Sequence, residues 1–140
     1  MDEFDPAADA FEPAASEVQI FEVQDCLLVA IQADLDDRAV LDLQDRLTER
    51  IAKTHARGVL IDISALDVVD TFIGRMLGSI ARMAAILDAA SVLVGMRPAV
   101  AITLVELGMH LDEVRTALNV DRGLRLIREE IDGRAASDGR

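Results

Sequence analysis

Three short apolar runs, CLLVAI at 26–31, GVLIDI at 58–63 and SVLVGM at 91–96, alternate with segments in which apolar residues recur at helical spacing. Unbroken apolar runs of this length suit strands buried on both faces, as in a parallel sheet. Consecutive parallel strands need crossovers, and the helical segments supply them. The first run is preceded by VQIFEV at 18–23, which alternates apolar and polar residues, and by Gln24-Asp25, which can turn the chain into an antiparallel hairpin.

The spacing predicts four helices. Asp36 or Asp37 caps the first, with Val40, Leu43, Leu47 and Ile51 on its inner face and Gly58 as its stop. Phe72, Ile73, Met76, Leu77, Ile80, Met83, Ala84 and Leu87 give the second a broad apolar face. The third, AVAITLVEL, starts at Pro98, ends at Gly108 and is apolar nearly all round, so burial is expected. A short edge strand over 113–117 leads into the fourth, capped by Asp121 and pointing Leu124, Ile127 and Ile131 inward. The expected order is β-β-α-β-α-β-α-β-α: a single α/β domain over 18–132 with a small mixed, mostly parallel sheet.

The core must be aliphatic, because the 140 residues include no Trp, no Tyr and only four Phe. Residues 1–17 hold six acids, no base and two prolines without periodicity, and read as a disordered acidic tail. Residues 133–140 read as a second polar tail. A formal net charge of −12 excludes a protein that neutralises nucleic-acid phosphates. No apolar run has the length to cross a bilayer, and Cys26, the single cysteine, allows no internal disulfide. The expected compartment is the cytoplasm, with neither nucleic acid nor membrane as partner.

Groups for catalysis are sparse. His55 and His110 have no nucleophile paired with them, and Cys26 starts a buried-type strand. Asp34, Asp36 and Asp37 resemble a hard-cation cluster but also suit a helix start, where acids meet free N–H groups. Gly74, Gly78 and Gly95 form no phosphate-cradling loop. The expectation is no enzyme activity, no cofactor and no metal.

The segment LDVVDTFIGR at 66–75 runs from the end of a strand into a helix, at the side of the sheet where ligands and partners are met. Asp70 and Thr71 are both candidate caps. If Asp70 caps, Thr71 falls in the first turn with its hydroxyl toward solvent. A covalent phosphate is tolerated there by the helix dipole and free N–H groups.

DCLLVAIQADLDD, GVLIDISALDVVDTFIGRMLG and GMRPAVAITLVELG, together and in this order, closely resemble the STAS domain family of anti-sigma factor antagonists, and within it the stressosome scaffold branch. The resemblance covers residues 18–131. It implies a non-enzymatic scaffold that works in a large homo- and hetero-oligomeric assembly with STAS co-antagonist paralogues bearing a sensory N-terminal domain. Such a scaffold sequesters a serine/threonine switch kinase, releases it when phosphorylated, and is reset by a phosphatase. The phosphorylated position corresponds to Thr71, where the family more often has Ser, and the partner-binding loop to Asp67, Asp70, Thr71 and Phe72. A 17-residue tail is too short for a sensory domain, so a scaffold is expected rather than a sensor. The alternatives are a free antagonist that binds an anti-sigma kinase one to one, or a small nucleotide-binding protein.

Overall fold

A computed structural model describes residues 18–108 and 114–138, with backbone alone for 134–138. Strands β1 (Ile20–Val23) and β2 (Cys26–Ala30) form the antiparallel hairpin, with Val23 opposite Cys26 and Gln24 in the left-handed region at φ 56°. Helix α1 (Asp37–Thr54) leads to β3 (Gly58–Asp62), α2 (Thr71–Ile86) to β4 (Ala90–Val94), α3 (Pro98–Glu106) to β5 (Val114–Ala117), and α4 (Val120–Asp138) follows. The five strands lie side by side in chain order, with β2 to β5 parallel. The expected class, order and mostly parallel sheet are observed.

Chain order decides which face each helix covers. Crossovers of one hand, all stepping in the same direction, place α1, α2 and α3 on the same face of the sheet. There Val40, Leu43, Leu47, Ile73, Leu77, Ile80, Val100 and Leu104 pack on Val29, Val59, Ile61 and Leu93 in one core. The opposite face holds Cys26, Leu60, Val92 and Val94, and its cover is α4, through Leu124 and Ile127. Two glycines allow α4 to lie this close. A Cβ on Gly58 of β3 would stand 2.5 Å from Ile127 Cδ1. A Cβ on Gly123 of α4 would collide with Leu60 Cδ2 and lie 3.0 Å from Val94 Cγ1. Each element thus receives a side chain of the other where it has none of its own.

Four local expectations are revised. The first helix ends at Thr54, before Gly58, because His55 adopts the left-handed conformation (φ 54°) and donates its backbone N–H to the Ile51 carbonyl. The third helix buries Val100 and Leu104 but leaves Ile102 60% and Val105 77% exposed. It crosses to the edge strand and has packing partners on one side only. The last helix starts at Val120, and Asn119 rather than Asp121 accepts from a first-turn amide, Arg122 N at 2.9 Å. That helix also continues to Asp138, past the boundary at 132 read from the sequence. His110 and the proposed tail over 1–17 lie outside the described residues.

Candidate functional site

The site is built where β3 ends. Asp62 Oδ1 accepts from Ser64 N (2.9 Å), Ile63 N donates to the Val94 carbonyl (3.0 Å), and Leu66 N closes a turn onto the Ile63 carbonyl (3.0 Å). Leu66 and Val69 are buried at 0% and 3% exposure and pin the loop to the core. Between them Asp67 and Val68 face solvent.

Asp70 is the cap of α2. Its backbone is extended, its Oδ1 accepts from Ile73 N at 2.9 Å, and its carbonyl accepts from Gly74 N at 3.0 Å. Thr71 is therefore released from capping. It is exposed in the first turn, and among the described residues its hydroxyl makes no hydrogen bond. The first turn of α2 carries no acid, so the Asp70 cap is the one carboxylate of this helix start. Arg75, one turn on and on the same helix face, is also exposed. Phe72 differs from its loop neighbours, because it is half-buried and packs against the main core. Of the four expected loop residues, Asp67 and Thr71 present surface, Asp70 shapes the backbone and Phe72 anchors it.

Sequence reasoning missed Arg97. Its Nε donates to the Ser64 carbonyl at 3.1 Å and its guanidinium pairs with Asp67 Oδ1 at 2.5 Å, so a residue 30 positions away ties down the loop. Arg97 holds the cap position of α3, yet a guanidinium has no acceptor with which to cap. It is free to reach sideways. The reachable neighbour is the β3 loop, because β3 and β4 are adjacent parallel strands whose C-terminal ends lie side by side. A cap position filled by Arg just before a first-turn proline was the available signal.

The remaining candidates take structural roles. Asp36 caps α1 through Ala39 N at 2.8 Å, and among the described residues no group of three or more His, Cys, Asp or Glu is placed to hold a metal. Cys26 is buried, and burial together with the nearby Asp25 carboxylate raises its thiol pKa. Raised in this way, the thiol is a poor nucleophile. No helix among the described residues is long and apolar enough to cross a membrane.

Chemically, the loop offers an accessible hydroxyl on a rigid frame. A phosphate there would add about −1.5 to −2 charges in front of unbonded first-turn amides. Asp67 and Asp70 would repel it, and Arg75 and Arg97 stand within the same neighbourhood of the fold.

Several known proteins are similar to this chain as a whole. The chain is 42% identical to a Ser-to-Glu variant of RsbS from Moorella thermoacetica, with a TM-score of 0.73 over 82% of this chain and 97% of that one. It is likewise 42% identical, with a TM-score of 0.72, to a chain in a structure of the stressosome, described as a signal integration and transduction hub, over 81% of this chain and 98% of that one. The RsbT co-antagonist protein RsbRA of Bacillus subtilis (strain 168) is 27% identical over 128 residues, 91% of this chain, which spans 46% of that relative's length. The STAS domain profile matches residues 17–123. The chain belongs to the STAS domain family.

Proposed function

We propose that this protein is a stressosome scaffold and anti-sigma factor antagonist-type switch, not an enzyme, acting in the cytoplasm through protein contacts. It sequesters a serine/threonine switch kinase and releases it when Thr71 is phosphorylated; a phosphatase restores the neutral state. Its assembly partners are further copies of itself and STAS co-antagonist paralogues with a sensory N-terminal domain. The kinship to RsbS and to the stressosome chain supports the scaffold role. The observation that carries the switch is the division of labour at the start of α2, where Asp70 holds the backbone and Thr71 stays exposed.

Two other hydroxyls are worse placed. Thr103 Oγ1 donates to the Ala99 carbonyl at 3.0 Å within its own helix, and Ser79 Oγ accepts from Arg82 at 3.4 Å. A docked kinase matched to a neutral Thr71 would lose its fit when charge appears beside Asp67 and Asp70, because like charges at an interface disfavour association.

The test is a pull-down from the source cell with mass spectrometry of partners and of phosphothreonine. The expected result is a small kinase, a STAS paralogue and phosphate on Thr71, in a particle far larger than a one-to-one complex. Recovery of neither protein, or phosphate on Ser64, Ser79 or Thr103 with normal kinase release from Thr71→Ala, would overturn the reading.

A further inference from the structure

An open cleft of about 620 Å³ lies at the β5 edge of the sheet, between the first turns of α3 and α4. One wall is apolar, made by Pro98 and Ala101 of α3 with Leu118 and Leu126. Leu118 stands 75% exposed. Arg122 and Arg125, both exposed, line the other side, and among the described residues neither forms an ion pair. Glu129 is the single acid in the lining. The start of α4 adds the positive end of its dipole. In a chain of net charge −12, a cationic cleft with an apolar wall is a place for an acidic segment bearing a hydrophobic anchor.

The chain contains such a segment. Asp2, Glu3, Phe4 and Asp5 put three carboxylates around one phenyl ring, within an N-terminal stretch of six acids and no base. We propose that the cleft receives this segment, with the carboxylates on Arg122 and Arg125 and Phe4 against the apolar wall. The topology permits it. Because β1 is antiparallel to β2, with Ile20 opposite Val29, the chain enters the sheet at the end where the parallel strands finish. The cleft, which includes Ala117 at the end of β5, opens at that same end. Four strand spacings separate the two edges, roughly 19 Å at about 4.8 Å each. Phe11 stands seven residues before Val18 and reaches at most ~25 Å when fully extended, which leaves only about 6 Å beyond the four strand spacings for the path over the loops. Phe4 stands fourteen residues before it and reaches up to ~50 Å, with slack to spare. The docking holds whether or not Thr71 is a phosphorylation site.

The absence of Trp from the chain makes the test direct. Full-length Phe4→Trp carries a single indole, to be compared with a free peptide of residues 1–17 bearing the same change. Docking predicts blue-shifted emission and slower acrylamide quenching in the protein than in the peptide. Both differences should vanish in an Arg122→Glu, Arg125→Glu background whose circular dichroism is unchanged. They should return when Asp2, Glu3 and Asp5 are replaced by Lys in that background. Emission equal to that of the free peptide, or a shift that survives the arginine reversal, overturns the proposal. A shift that disappears on dilution overturns its intramolecular form and assigns the cleft to a second copy.

Discussion

Helices α1 and α2 both begin on an aspartate whose Oδ1 accepts from the amide three residues on, Asp36 from Ala39 at 2.8 Å and Asp70 from Ile73 at 2.9 Å. They differ at the next residue. Asp37 gives α1 a permanent negative charge in its first turn, whereas Thr71 leaves α2 without any acid there. Both helix ends favour an anion through their dipoles and free amides. At α1 that preference is met by two carboxylates, the Asp36 cap and Asp37. At α2 it is met by the Asp70 cap alone, and the first turn beyond it is left without a charge.

The strongest break in this contrast should come from making the two starts alike. Thr71→Asp is expected to weaken kinase capture about tenfold or more, equivalent to ~1.4 kcal/mol, when titrated calorimetrically. Asp37→Thr should leave capture unchanged. Because the two changes shift the net charge in opposite directions, a gain of similar size from Asp37→Thr would mean that overall charge, not position, controls binding.

Next in size are the caps. Asp36→Ala and Asp70→Ala should each cost about 1 kcal/mol, read as a fall in Tm of roughly 3–7 °C for a domain near this size. A much larger fall for Asp70→Ala would show that this cap also holds the β3 loop in place. Thr71→Ala should cost less than the ~1 kcal/mol of a lost cap, because Asp70 retains the bond to Ile73. It should still capture kinase and fail to release it.

The smallest effect is expected from Arg97→Ala. Its ion pair with Asp67 is exposed, at 56% and 72% of the two side chains, and exposed pairs contribute ~0–1 kcal/mol. Stability should barely change, while amide exchange over 66–69 quickens as the loop loses its tether. Unchanged exchange would remove Arg97 from any part in shaping the loop.

The order of elements and the Asp70–Thr71 junction were legible because both are written in local patterns: strand-length apolar runs, helical spacing and an Asp before a helix. Arg97 was not legible as a loop tether, since its partners lie 30 and 33 residues back and adjacency of strand ends follows from topology alone. The exposure of Ile102 and Val105 was missed for a related reason. An apolar surface suggests burial, yet nothing local says that a helix crosses to a sheet edge with no neighbour beyond it. The last helix was cut short because apolar spacing fades after Ile131, although the backbone continues to Asp138. Phe72 and Thr71 are adjacent, and only the helix phase separates an anchor from an exposed hydroxyl.

The uneven coating of the sheet bears on how the chain folds. With all five strands paired and three helices on one face, Leu60, Val92 and Val94 on the other stay bare until Leu124 and Ile127 dock. A form of the chain in which α4 is undocked carries a bare apolar sheet, the kind of surface that draws chaperones or a second chain. The glycine recesses at 58 and 123 make α4 a close fit for that surface, so a single helix closes the second face of the sheet.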